Sequence, residues 1–443
     1  LFLKALRYIT APNSPGVNVR ILLCTMQFGP GYNQGTEKYI RNLARHLSAQ
    51  GCEVVVAGGN PERIVTDLAQ CHDENLQIVT LPTAGWHTVR GDSITSYLSL
   101  LAKLKPDVLH MANPAHIGIN ILHAARELGI PYFVSVTDFW WLCPKHTLTL
   151  KSQEFCEGFA DSRSCMRCIA ETHPNNLIRA VSQIPSIRNG VAEILRLKNS
   201  ASARADTWDN RERQLREVLI DAQRVICLSR TGQKRLKGYF DLDNCHYIPA
   251  GLAATWFEAK EIEREESDRF VVGFLGAIAP HKGLHTLGQA LHELADPEIE
   301  LRVAGRIVDQ KYANDALGKY TFTRYMGELN ESESRDFLDA VDLFVIPSNS
   351  PENQPQVLLE AAARKKPTIA SNIPGCAEIL PKPALFPIGD VEKLKILLCE
   401  AKRDIDVIGL PEVGLSAQSV AAHVLTEYQK SIVNRDFSEK ASS

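Results

Sequence analysis

No run of apolar residues in this 443-residue chain approaches the ~20 needed to cross a bilayer as a helix, so a spanning helix is not expected. The opening LFLKALRYITAPNSPG has too short an apolar stretch to serve as an export signal. An excess of charge of either sign is missing as well. Lys and Arg number 49 against 52 Asp and Glu, and a formal charge of -3 gives no electrostatic reason to expect a nucleic-acid partner. No internal repeat is detectable beyond a likeness in pattern between the two halves. The 11 cysteines are an odd number that cannot all pair, and most stand singly in apolar runs, as reduced thiols do; this leads us to expect a cytoplasmic protein.

What is present is an ordinary globular balance, 44% hydrophobic and 23% charged, in a chain too long for one core, since single cores stop growing near about 250–300 residues. Short apolar runs rich in β-branched residues alternate with longer segments of helical period, the mark of parallel strands joined by crossover helices. The class is α/β. In the first half the strands read Val19–Met26, Glu53–Ala57, Asp107–Met111, Tyr132–Val136 and Arg224–Leu228, with an amphipathic helix at Gln34–Gln50. The pattern restarts with strands at Phe270–Leu275, Glu300–Ala304, Leu343–Pro347 and Pro367–Ala370, and helices near Leu284–Leu294, Glu331–Val341 and Pro355–Arg364. The charged stretch 258–269 cannot supply core and suits a linker. The expected division is therefore a domain over 1–257, the linker, a second domain over 270–414, and a final helical segment, 415–443, crossing back to the first. Two doubly wound domains place their ligand sites at the carboxyl ends of the strands, facing across a cleft.

The richest stretch is Pro347-Ser348-Asn349-Ser350-Pro351-Glu352, followed by a helix that carries Glu360 on its second turn. Asn353 or Gln354 can cap that helix, and the free N–H groups of about Gln356 and Val357 favour a phosphate at its positive end. A carboxylate on each side of such a site could hold a sugar and a ribose. After the first strand of the second half, Gly276-Ala277-Ile278-Ala279-Pro280-His281-Lys282-Gly283 puts a glycine-bearing turn and a lysine at a helix start. After the first strand of the chain, Gly29, Gly31 and Gly35 lie before and at the start of a helix, where glycine lets backbone approach a phosphate or sugar closely.

In these motifs the chain resembles the retaining GT-B glycosyltransferases of glycosyltransferase family 4, whose mark is a pair of glutamates with the spacing of Glu352 and Glu360. The likeness runs through Leu343–Leu380, including Pro374-Gly375 and Glu378, and in coarser form across most of the chain. The resemblance implies a GT-B architecture and transfer of a sugar from a nucleoside diphosphate donor without a required divalent ion. It places Glu352 at the anomeric centre, Glu360 on the nucleotide ribose, and Lys282 on the diphosphate, with Gly276 and Gly35 in the family's glycine turns. Two positions depart from the pattern. Ala277 stands where an arginine is common, and Arg306 is the residue we expect to supply part of that charge; Thr137 stands where many relatives carry a histidine before Asp138.

Four cysteines break the scattered pattern: Cys143, Cys156, Cys165 and Cys168 crowd into residues 143–168, the last two as a CxxC pair. Two thiolates at that spacing reach one metal, and two more complete a tetrahedral set for zinc or an iron–sulfur cluster; free thiols and a disulfide are the other readings. A subset of the family has a similar segment. With Asp138, Trp140 and Trp141 it is expected to form a wall on the acceptor side, ordered by a structural zinc. The basic amphipathic segment 175–200 would suit an anionic membrane surface and a lipid-linked acceptor, beside sugar or small-molecule acceptors. The alternatives to a transferase of surface polysaccharide or glycoconjugate synthesis are a GT-B epimerase acting on the nucleotide sugar and a non-catalytic nucleotide-sugar or metal-binding module.

Overall fold

The computed structural model describes residues 19–29, 31–60, 76–85, 89–150, 155, 156, 158, 162–171, 208–258, 269–318, 320 and 323–442. The opening stretch, the basic segment 175–200 and linker residues 259–268 lie outside the described residues.

Strands β1 (Arg20–Thr25), β2 (Glu53–Gly58), β3 (Gln77–Thr80), β4 (Val108–Asn113), β5 (Tyr132–Val136), β6 (Arg224–Cys227) and β7 (Cys245–Tyr247) form a seven-stranded sheet in the order β3-β2-β1-β4-β5-β6-β7. A two-residue strand, β8 (Gly251–Leu252), follows. Strands β9 (Phe270–Leu275), β10 (Ile299–Ala304), β11 (Thr323–Tyr325), β12 (Leu343–Ile346), β13 (Thr368–Ser371) and β14 (Leu385–Phe386) form a six-stranded sheet in the order β11-β10-β9-β12-β13-β14. A last short strand, β15 (Leu415–Ser416), pairs with β8. The ladders β1–β2, β1–β4, β9–β10 and β12–β13 are parallel, and a helix lies between β1 and β2, between β9 and β10 and between β12 and β13. Each sheet is doubly wound, and its order reverses beside its first strand, between β1 and β4 and between β9 and β12. Parallel sheets covered on both faces need strands that are apolar throughout, which is why Val271, Val272 and Phe274, or Leu343 to Ile346, are buried without alternation.

Residues 1–135, 221–224 and 417–443 make one compact unit, and residues 136–220 and 225–416 the other. In the first, helix Gly35–Ala49 buries Tyr39, Ile40, Leu43, Ala44 and Leu47, the stripe of an amphipathic helix. Its start is fixed by the Glu37 carboxylate, which accepts from the Gln34 N–H at 2.9 Å. Helix Ala417–Ser442 belongs to this same unit: the Tyr428 hydroxyl and the His110 ring on β4 share a hydrogen bond, and Tyr428 meets Phe133 edge-on at 4.8 Å. The other His110 nitrogen lies 2.7 Å from Ser135 Oγ, itself 2.8 Å from the Tyr39 hydroxyl. One buried polar chain thus joins two strands and two helices.

Burial pushes the His110 imidazole down to about 3. Unfolded, a histidine takes its proton near about 6.5, so between those values the unfolded chain binds a proton that the native state refuses, and stability falls as pH falls through that window. Replacing His110 by Gln should flatten this part of the pH dependence by up to about 1.4 kcal/mol per pH unit in urea melts. An unchanged slope would mean that His110 does not set it.

Candidate functional site

The second sheet's reversal point brings two loops together. After β9 the chain runs through Gly276 and a short turn, Pro280–Lys282, to Gly283; after β12 it runs from Pro347 to Glu352. Gly283 has φ 71°, and a Cβ there would lie 1.8 Å from the Pro347 carbonyl oxygen, so only glycine permits this approach. The Asn349 N–H donates to the His281 carbonyl at 2.8 Å, closing the junction.

The two residues expected to carry the chemistry meet here. Lys282 Nζ donates to Glu352 Oε1 at 2.9 Å, and Ser348 Oγ donates to the same oxygen at 2.5 Å. The lysine and glutamate side chains are 27% and 16% exposed, open enough to meet a ligand. Burial pushes the Glu352 carboxyl up, but the Lys282 ammonium and the Ser348 hydroxyl outweigh it and hold the group below the usual carboxylate range. The glutamate is therefore an anion at neutral pH. The Glu352 backbone is fixed from behind: its carbonyl accepts from the Gly375 N–H at 3.1 Å, and a Cβ on Gly375 would fall 2.5 Å from that same oxygen.

Asn353 and Gln354 do not cap the following helix, whose N-cap is Pro355 with no side-chain bond. Their amides are used elsewhere. Asn353 Nδ2 donates to the Val136 carbonyl at 2.5 Å, and its Oδ1 accepts from Ser229 Oγ at 2.6 Å; Gln354 Oε1 accepts from the Ala250 N–H at 2.8 Å. The loop is tied to the end of β5 and to the segments after β6 and β7, and the N–H groups of Gln356 and Val357 begin helix Gln356–Ala363 without a side-chain cap. Glu360 lies in that helix at 1% exposure. Glu378 accepts from the N–H groups of Arg230 and Thr231 at 2.8 and 2.7 Å, at the start of helix Arg230–Phe240.

Arg306 follows β10, and its carbonyl accepts from the Ile278 N–H at 2.9 Å, which puts it beside the Gly276–Ala277 turn. Gly35, the first residue of helix Gly35–Ala49, lies in the first compact unit. Asp138 leaves β5 partly exposed and bonds to His146, Nδ1 to Oδ2 at 2.8 Å. Trp140 and Trp141 offer no wall to an acceptor. They are buried at 0% and 1% exposure and meet edge-on at 5.5 Å, with the Arg211 guanidinium 4.2 Å over the Trp140 ring; their bulk is spent on core.

The four clustered cysteines are thiols. Cys156 Sγ donates to the Gly158 carbonyl at 3.2 Å, Lys145 Nζ lies 3.2 Å from Cys168 Sγ, and burial pushes the Cys143 thiol up. Among the described residues no three His, Cys, Asp or Glu side chains are placed to hold a metal ion, so this arrangement does not fit the tetrahedral site expected, and no step below runs through a metal. Sequence reasoning missed Ser348, Gly283, the two ties of Asn353 and the partner of Asp138. Only Ser348 had a local signal, a hydroxyl four residues ahead of the glutamate on the same loop.

Residues 34–164 match the family model of the glycosyl transferase 4-like domain, and residues 257–395 that of glycosyl transferases group 1. A GDP-mannose-dependent alpha-mannosyltransferase of Mycolicibacterium smegmatis is 25% identical over 372 residues, 82% of this chain and 82% of that one. A putative teichuronic acid biosynthesis glycosyltransferase of Bacillus subtilis, TuaC, is 27% identical over 170 residues, 36% of this chain and 41% of its own. Among solved structures, Anabaena HepE in complex with UDP has the same fold, with a TM-score of 0.59 at 15% identity over 96% of this chain and 100% of that one. With a 4-like domain in its first half, a group 1 domain in its second and two doubly wound sheets beneath them, the chain is a GT-B glycosyltransferase.

Proposed function

We propose that this glycosyltransferase moves a hexosyl unit from a UDP- or GDP-linked donor to an acceptor hydroxyl with retention at the anomeric carbon, in the synthesis of a surface polysaccharide or glycoconjugate. The observation that carries the reading is the Lys282–Glu352–Ser348 cluster at the carboxyl end of the second sheet, where doubly wound sheets take their ligands. The donor range follows the GDP-mannose named for the mycobacterial relative and the UDP bound to HepE, and the surface-glycan setting follows TuaC.

In this reading Lys282 and the N–H groups of Gln356 and Val357 take the charge of the diphosphate, with no divalent ion in the chemistry, and Arg306 adds a cation beside the Ala277 turn. Glu352, kept ionised, faces the anomeric carbon and stabilises the positive charge that grows there as the diphosphate departs. Glu360 takes the ribose hydroxyls. Proton transfer from the acceptor is the remaining requirement.

A thermal-shift panel of UDP- and GDP-sugars should single out a donor, since ligand at 100 times its dissociation constant stabilises by about 2.7 kcal/mol. No shift with any of them would count against the reading. With that donor, Glu352→Gln should lower turnover about 100-fold and leave donor affinity nearly unchanged, because the charge it meets exists only on the way to the transition state. Glu360→Gln should do the reverse, weakening donor binding about tenfold or more for the loss of a charged hydrogen bond. Wild-type turnover by the first variant, or wild-type affinity in the second, removes that residue from its role. Lys282→Met gives a pH test. Lysine holds the Glu352 carboxyl down against burial, so without it the acid limb of kcat/KM should move to higher pH; an unmoved limb would mean that Glu352 does not set it.

A further inference from the structure

Asn353, the residue after Glu352, is 4% exposed, and both ends of its amide are occupied. Chemistry allows one assignment of donors. The Val136 carbonyl can only accept, so Nδ2 faces it, at 2.5 Å; Oδ1 can only accept, so Ser229 Oγ, 2.6 Å away, gives its one proton to it. With that proton committed, Ser229 Oγ accepts from the Gly232 N–H at 2.9 Å and so caps helix Arg230–Phe240. One line of hydrogen bonds runs from a helix start through Ser229 and Asn353 to the end of β5. Gly232 completes it: a Cβ there would fall 2.5 Å from Asn353 Oδ1, so the helix lies against the amide with no room for a methyl group.

This line ends one residue from the reacting carboxylate. Lys282 and Ser348 both bond Glu352 Oε1, and no described residue bonds Oε2, which is left to meet a ligand. Where that oxygen points depends on the backbone that carries it. The Gly375 N–H holds the Glu352 carbonyl at 3.1 Å, and the Asn353 amide holds the next residue from the other side. Breaking either end of a buried amide leaves a polar group without a partner, so the amide resists rotation.

Resting on the function proposed above, we infer that Asn353 is the positioning residue of Glu352, held in place by the hydroxyl proton of Ser229 and by the missing side chain of Gly232. Their part is to keep the carboxylate where the charge at the anomeric carbon develops, since stabilisation of that charge is lost with small displacements.

The test measures nucleoside diphosphate released from UDP-glucose and GDP-mannose by the full chain, with octyl glucoside and octyl mannoside as acceptor probes, beside the binding of UDP and GDP. Asn353→Ala should lower kcat about 100-fold, the usual scale for a misplacement near about 1 Å, with nucleotide affinity unchanged. Gly232→Ala deletes no hydrogen-bonding group and favours the helix, yet its methyl group displaces the Asn353 oxygen; it should fold and lose about tenfold in kcat. Asn353→Asp supplies a pH test. Ionised, its second oxygen meets the Val136 carbonyl with no proton to offer; protonated, it restores the bond. Burial and the neighbouring Glu352 anion push such a carboxyl up, so kcat relative to wild type should be highest at low pH and fall as pH rises through that raised value. Asn353→Ala should show no such limb. A residue that only braces the fold would lower the melting temperature and leave that ratio flat. Wild-type kcat in Asn353→Ala or Gly232→Ala, nucleotide affinity that falls as far as kcat, or a flat ratio for Asn353→Asp overturns the assignment. Release from neither donor by the wild-type chain would instead defeat the function on which it rests.

Discussion

One electrostatic balance governs the site: Glu352 is buried enough to lose its charge and keeps it because Lys282 and Ser348 converge on one of its oxygens. An unpaired carboxylate in that position would neutralise by taking a proton, and a neutral acid cannot stabilise a growing cation. The geometry around the pair serves to keep it assembled. Gly283 lets the lysine turn lie against the Pro347 carbonyl, and Gly375 lets the next loop lie against the Glu352 carbonyl, so each partner is set by backbone packing that a single methyl group would disturb.

The fold supplies the place for this balance. In a parallel sheet all strands end on the same side, and where the order reverses beside β9 the loops after β9 and β12 meet at the carboxyl ends of neighbouring strands. Lys282 comes from one loop and Glu352 from the other. The amides of Asn353 and Gln354, available because the helix start is left to Pro355, tie the second loop to the ends of β5 and β7. Two adjacent residues thereby acquire neighbours more than a hundred positions away.

The interior of the fold was readable in the sequence and its margins were not. The strands found from apolar runs are the inner ones, because burial on both faces demands an unbroken apolar string. Of the six that escaped, Gln77–Thr80, Cys245–Tyr247, Thr323–Tyr325 and Leu385–Phe386 are the edge strands of the two large sheets, two to four residues long, and Gly251–Leu252 and Leu415–Ser416 are two-residue strands that pair with each other. The site divides along the same line. Glu352, Glu360 and Lys282 stand in local motifs with a spacing that chemistry explains. The bond of Asn353 to Val136 and of His146 to Asp138 depends on a chain reversal that no local pattern encodes, and the tryptophans that suggested an exposed wall are drawn into core by their size.

The account stands or falls on where the donor's nucleotide rests. A crystal structure of the chain with the nucleoside diphosphate of its tightest-binding donor should show the diphosphate against Lys282 and the N–H groups of Gln356 and Val357, the ribose hydroxyls at Glu360, and the open side of the terminal phosphate toward Glu352. A nucleotide seated instead in the glycine turn after β1, with Lys282 still closed on Glu352 and Glu360 untouched, would contradict it.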